Sequence, residues 1–382
     1  MATLIFLLLA VLTNPVFTAP THPSPHEYPH PANGVCTDYT IKEEVTWTRN
    51  IWGLPKIQNN YDVAVQLMGM ANVNKEATYH PFSGSENVTS TYELSGTFCS
   101  PTKKRIRKEE TVLLATHGGG FDRRYWTSSH KPEEYNFVEH ALDNGYSVFY
   151  YDRLGLGLSP IISGYEAQAS NQVELLAKIA HGIRSGKYTG QTAATKIVLV
   201  GHSLGSFFSN GAIAKYPDLA EGLVVTGFSY PNATDPARIT LPISQSFQSA
   251  RLDSTRGDAY FGFGDIYGLT VGFFHEPLDI PTIEYTLSIS QPVAIGELTT
   301  AEAITLASPK YKGKVLIAAG EYDLILCGGY CADRFKYGVQ KDVFPGAKIE
   351  TYLHPSAGHG LNFAANASVF YDRIIDFVDR NL

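Results

Sequence analysis

The sequence predicts an α/β chain: a mostly parallel, doubly wound sheet with an inserted helical cap and an N-terminal antiparallel strand extension. From Thr111 onward, short apolar runs alternate with stretches of helical period, the pattern of parallel strands joined by crossover helices. Before that, from Cys36 to Pro101, the patterns are strand-like, as antiparallel pairing at a sheet edge requires. The alternation then stops between Tyr230 and Lys310. A gap of about 80 residues is far longer than a βα connection and marks an insertion.

The elements follow in order. Met1 to Ala19 carries an apolar run from Leu4 to Leu12, ended by Asn14-Pro15 and a small residue at Thr18 or Ala19. It has the form of a secretory signal peptide and is too short to span a bilayer, so a secreted protein with no stable membrane insertion is expected. Residues 20–35 are rich in Pro and His, a composition that buries little apolar surface, and are expected to be a disordered leader. Tyr39 to Thr48 is β-branched and aromatic, and Thr91 to Phe98 alternates polar with apolar residues, so the two predict a hairpin or meander at the sheet edge. The parallel strands are expected at Thr111–Thr116, Tyr146–Tyr151, Lys196–Val200, Gly222–Gly227, Lys314–Ala319 and Ile349–Leu353. Helices are expected at Pro132–Asp143, Glu166–Ser185, Ser206–Tyr216 and Leu361–Val378. The core is thus assigned to 36–230 and 311–382, and the cap to 231–310. Within the cap, Tyr260-Phe261-Gly262-Phe263-Gly264 and Gly272-Phe273-Phe274-His275 suit either an adaptable lining over a pocket or the insertion's own small core.

Composition narrows the partners. The 382 residues are 44% hydrophobic and 18% charged, the balance of a folded globular chain. A net charge of -7 without a long basic run lacks the electrostatic footprint of nucleic-acid binding. Asn87, Asn232 and Asn366 each open an N-x-[ST] glycosylation pattern, in keeping with export. Cys36, Cys99, Cys327 and Cys331 allow three pairings in an oxidising compartment; proximity favours Cys327 with Cys331, leaving Cys36 with Cys99.

The chemistry centres on Gly201-His202-Ser203-Leu204-Gly205, which follows the apolar run Ile197–Val200 and precedes a helical stretch. A turn this sharp between strand and helix leaves no room for flanking side chains, which accounts for a glycine two residues before and two after the serine. Ser203 is thereby placed at a helix N-terminus, where developing negative charge is favoured. Serine needs a base, usually a histidine held by a carboxylate. His359, in Ala357-Gly358-His359-Gly360, lies just past the last strand; His354 is nearer that strand but is followed by Pro355. For the acid, Asp323 in Gly320-Glu321-Tyr322-Asp323 lies further into its loop than Glu321, and Asp235 is a third candidate. His117 and His202 are expected to pack or hydrogen-bond rather than act as bases. No metal-ligand spacing or nucleotide motif survives inspection, so no cofactor is expected: Gly182 to Tyr188 is short of a P-loop, and Gly155-Leu156-Gly157 runs into Pro160.

The order Ser203, Asp323, His359, each after a strand, resembles the α/β-hydrolase family over about Thr111 to Leu382. His117-Gly118-Gly119-Gly120 is similar to the family's oxyanion loop, and Asp152-Arg153-Leu154-Gly155-Leu156-Gly157-Leu158-Ser159 to its D-x-R-G-x-G-x-S stretch, with Arg153 one place early. The N-terminal extension and the Cys327–Cys331 loop look like those of secreted fungal members. The resemblance implies Leu204 N–H as one oxyanion donor and Gly119 or Gly120 N–H as the other. It implies hydrolysis of an ester or lactone of an apolar small molecule, with C–C bond hydrolysis as a related use. Two other readings are a biosynthetic cyclase or acyltransferase and an inactive secreted binding protein; the latter predicts a damaged triad, which the sequence does not show.

Overall fold

The computed structural model describes residues 28–382, apart from 73, 104, 106, 107, 191, 192 and 231–249. The expected signal peptide, most of the leader, Asn232 and Asp235 lie outside the described residues.

Eleven strands are described: β1 (Gly34–Trp52), β2 (Phe82–Pro101), β3 (Thr111–Thr116), β4 (Ser147–Tyr151), β5 (Lys196–His202), β6 (Gly222–Thr226), β7 (Ala250–Leu252), β8 (Tyr260–Phe263), β9 (Val293–Ala294), β10 (Lys314–Gly320) and β11 (Lys348–His354). Eight of them form one sheet in the order β1-β2-β4-β3-β5-β6-β10-β11. From β4 to β11 all neighbours are parallel. Helices such as Ala169–Arg184, Leu204–Lys215 and Ala367–Asn381 cover it. The inner strands β3, β4 and β6 are buried at every residue, which is why their sequences are unbroken apolar runs and not alternations.

The extension is longer than its two apolar segments foretold. β1 and β2 pair antiparallel from Gly34↔Pro101 to Trp52↔Phe82, and only Gly96 to Cys99 of β2 pair with β4. The outer part of this ribbon is stitched by cross-strand polar pairs, Lys42 with Glu93 and Arg49 with Glu86. Cys36 and Cys99 face each other across the ribbon and are bonded, as are Cys327 and Cys331, the pairing that proximity favoured. Asn87 and Asn366 are both exposed.

Three expectations need correction. The described end of the leader is not a loose tail: the Tyr28 hydroxyl donates to buried Asp122 at 2.8 Å, and its ring lies against Arg123 and Arg124. Two cations on the faces of one ring hold an aromatic that composition alone marks as solvated. The cap is not purely helical either. β7, β8 and β9 make a small antiparallel sheet beside the helices Ile266–Phe273, Ile280–Ser288 and Ile295–Thr300. Ile57 and Val63 of the N-terminal extension pack in one cluster with Ala250, Phe261 and Ile295, so the extension and the cap share a small core. Finally, Pro132–Asp143 is split at Asn136, whose side chain accepts from Glu139 N and starts a second helix.

Candidate active site

Ser203 stands between β5 and the helix Leu204–Lys215 with φ 52° and ψ -117°, a strained conformation for a residue with a Cβ. The neighbouring glycines are sterically required. A Cβ on Gly201 would lie 2.5 Å from Ser206 backbone, and one on Gly205 would lie 2.1 Å from the Thr116 carbonyl oxygen. The backbone turn therefore exposes the serine in the way its sequence context implies.

His359 and Asp323 meet as expected. His359 Nδ1 donates to Asp323 Oδ2 at 2.6 Å, both side chains being essentially inaccessible. The other oxygen, Oδ1, accepts from Leu326 N–H at 2.9 Å, so the carboxylate is held at both ends. With its Nδ1 proton committed, the imidazole presents a bare Nε2, which is buried and makes no hydrogen bond among the described residues. Glu321 approaches Ser356 N at 3.4 Å, and His354 lies between Tyr352 and the Ala365 carbonyl; neither joins the cluster.

The glycines around His359 let the cap backbone approach closely. A Cβ on Gly358 would lie 2.8 Å from the Phe273 carbonyl oxygen, and Gly360 N donates to that same oxygen at 2.7 Å. The cap thus clamps the histidine loop through backbone. The Phe273 ring packs edge-on to His359, 5.1 Å between centroids.

The two other histidines are fixed as neutral groups. Arg153 N donates to His117 Nε2 at 3.0 Å, so His117 carries its proton on Nδ1 and gives it to the Gly118 carbonyl. Burial, then the Arg153 charge, hold its pKa down to about 3. The Thr226 hydroxyl donates to Gly201 O, so it accepts from His202 Nδ1. His202 stacks on Tyr125 at 4.4 Å. Burial, with His359 nearby, holds its pKa well below the usual histidine range.

The His117–Gly120 loop is tied by Arg153, the residue that stands one place early in the Asp152–Ser159 stretch. Arg153 donates to the Gly118 carbonyl at 3.2 Å and pairs with Glu297 of the cap helix Ile295–Thr300, both fully buried, while Gln172 donates to the same carboxylate at 2.6 Å. In a planar trans peptide the C=O and N–H point opposite ways. Drawing Gly118 O toward His117 and Arg153 therefore turns Gly119 N–H the other way. Gly119 lines a cavity with Ser203, Leu204 and His359. Gly120 does not; its φ of 84° turns the chain, and its carbonyl accepts from Gln291 N. Of the two candidates for the second donor, the placement favours Gly119. Glu297 was missed because a single acid in the cap carries no local signal.

The cavity measures about 130 Å³ and is walled by Phe207, Phe228, Phe263, Phe273, Leu298 and Ile325. The cap's aromatics thus divide: Phe263 and Phe273 face the cavity, whereas Tyr260 packs with Leu156, Ala167 and Ala294, and Phe261 with Ile57, Val63, Ala250 and Ile295, so these two join the cap to the rest of the chain and do not fill a core of its own. Asp152 is structural: it accepts from Arg123 N and Leu158 N, and Gly157 is small because a Cβ there would strike its carboxylate. Burial, opposed by Arg123 and reinforced by Asp122, pushes its pKa up to about 6.

The sequence model of the Alpha/beta hydrolase family matches residues 112–372. No curated protein sequence matches the chain. Among solved structures, the chain resembles an esterase from Exiguobacterium antarcticum with TM-score 0.51 and 17% identity, over 75% of this chain and 96% of that one. It also resembles Rv0554 of Mycobacterium tuberculosis, with TM-score 0.53 and 14% identity, over 77% and 96%. A soluble variant of monoglyceride lipase from Saccharomyces cerevisiae, in complex with a substrate analog, gives TM-score 0.50 and 16% identity over 76% and 92%. At these identities the likeness is one of fold.

Proposed function

The chain belongs to the α/β hydrolase family, and we propose that within it the protein is a secreted serine hydrolase acting on carboxylic esters or lactones of apolar small molecules. The observation that carries the reading is the convergence of Ser203, His359 and Gly119 on one apolar cavity, with His359 held by buried Asp323. In this reading His359 Nε2 takes the Ser203 proton as the oxygen attacks the carbonyl carbon. Asp323 stabilises the imidazolium, and the oxyanion is met by Leu204 and Gly119 N–H. The protonated imidazole then returns its proton to the leaving alcohol, and water releases the acyl group by the reverse sequence. The cavity walls offer an acyl chain apolar contact and few polar competitors, which supports an ester over a charged substrate.

The mature protein is expected to begin past the signal peptide, with glycans on Asn87 and Asn366 as accessible candidates. Secretion supplies the oxidising compartment that the two disulfides need. Purified protein is expected to turn over p-nitrophenyl acetate or butyrate, and Ser203→Ala to abolish it. Turnover surviving in the mutant would overturn the assignment of the nucleophile.

A further inference from the structure

Asp323 opens a segment with little to hold it. The helix that it caps, Leu324–Cys327, has four residues, too few for a helix to persist without outside support. Gly328 and Gly329 follow at φ 66° and 97°, and adjacent glycines add backbone freedom. Yet this segment carries the geometry of the base. Leu326 N–H, which holds Asp323 Oδ1, lies in the same short helix, and Asp323 Oδ2 in turn orients His359.

The Cys327–Cys331 bond closes the segment on itself. Cys327 N and Gly329 N donate to the Asp323 carbonyl at 3.2 and 3.0 Å, and Cys331 N donates to the Glu321 carbonyl at 2.9 Å. The far end is fixed: Cys331 is fully buried, and its carbonyl accepts from Phe335 N of the helix Ala332–Tyr337. The bond thus ties the last residue of the Asp323 helix to a point anchored in the core. Global stability does not account for it. The stabilisation that a cross-link gives through the unfolded chain grows with the loop it closes. Cys327 and Cys331 are four residues apart, against 63 for Cys36 and Cys99. What the shorter bond constrains is the folded segment between Asp323 and Cys331.

We propose that Cys327 and Cys331 are a positioning pair for catalysis: their disulfide keeps Leu326 N–H on Asp323, and Asp323 keeps His359 aligned as the base. This rests on the serine-hydrolase reading of the site and adds its regulation, since full activity then depends on a bond that an oxidising compartment supplies.

The test removes each disulfide in turn, by Cys327→Ala with Cys331→Ala and by Cys36→Ala with Cys99→Ala, and measures p-nitrophenyl acetate hydrolysis and thermal melting. Loss of the first bond is expected to lower kcat about a hundredfold, the scale of a misplacement of about 1 Å, with a small change in melting temperature. Loss of the second is expected to lower the melting temperature more and to leave kcat near wild type. Action through Asp323 is read from a double-mutant cycle: in the Asp323→Asn background, removal of Cys327–Cys331 should cost little further kcat. In folded wild type, dithiothreitol converts each disulfide to two thiols and is itself oxidised to its cyclic disulfide. Alkylation and peptide mapping then follow each bond, and activity is expected to fall with the Cys327 and Cys331 thiols and to recover on reoxidation. Wild-type kcat with both of these thiols free, or a loss equally large in the Asp323→Asn background, would overturn the proposal. Failure of a fluorophosphonate to label folded, oxidised wild type would instead overturn the serine-hydrolase reading, and the positioning role with it.

Discussion

Replacing Asp323 by Asn changes one atom and should disarm the base. The carboxylate now accepts twice, from His359 Nδ1 at 2.6 Å and from Leu326 N at 2.9 Å. An amide has one acceptor and one donor group. If its oxygen stays with the Leu326 N–H, its NH2 faces Nδ1, which must then be bare, and the imidazole proton moves to Nε2. A protonated Nε2 cannot take the serine proton. The expected loss is on the order of 10⁴ in kcat, about 5.4 kcal/mol of transition-state stabilisation. Because Asp323 lines no part of the substrate cavity, KM should hardly move. The assay is steady-state hydrolysis of p-nitrophenyl acetate with thermal melting alongside. A variant that melts like wild type and keeps kcat within about tenfold would refute the role of Asp323.

Glu297→Ala leaves the fully buried Arg153 without its counter-charge and should cost about 3–5 kcal/mol in urea unfolding, as well as lowering kcat through a loosened Gly118–Gly119 peptide; a loss below about 1 kcal/mol would show that the pair does not hold the loop. Acid should weaken the fold. His117 and His202 are held neutral when folded, so below the unfolded histidine pKa of about 6.5 the unfolded chain binds more protons, and stability falls as pH drops. Asp152, pushed up to about 6, acts in the opposite sense by gaining its proton in the folded state first. His202→Asn should therefore flatten the decline between about pH 6 and 4 by up to about 1.4 kcal/mol per pH unit, one proton's worth; an unchanged slope in urea titrations would contradict the buried neutral assignment.

The sheet was legible in the sequence because its inner strands are buried on both faces and so read as continuous apolar runs; β3 was placed to the residue, and β4, β5, β6, β10 and β11 to within two residues at either end. The turn around Ser203 was legible for a steric reason, since Gly201 and Gly205 have no alternative at 2.1 to 2.5 Å from neighbouring backbone. The reason for the glycines flanking His359 was not legible, because their crowding comes from Phe273, more than eighty positions away. Long-range partners of this kind leave no local pattern. The same holds for Tyr28 on Asp122 and for Glu297 on Arg153. In the cap, β7 and β9 are only three and two residues long, too short for an alternation to register against a helical expectation.

The central claim is that Ser203 is a nucleophile activated by His359. Intact-mass analysis after incubation with a fluorophosphonate tests it most directly, followed by peptide mapping of the adduct. The account predicts one adduct per chain, on Ser203, absent in Ser203→Ala and strongly slowed in His359→Ala. An adduct elsewhere, or none on folded protein, would contradict it.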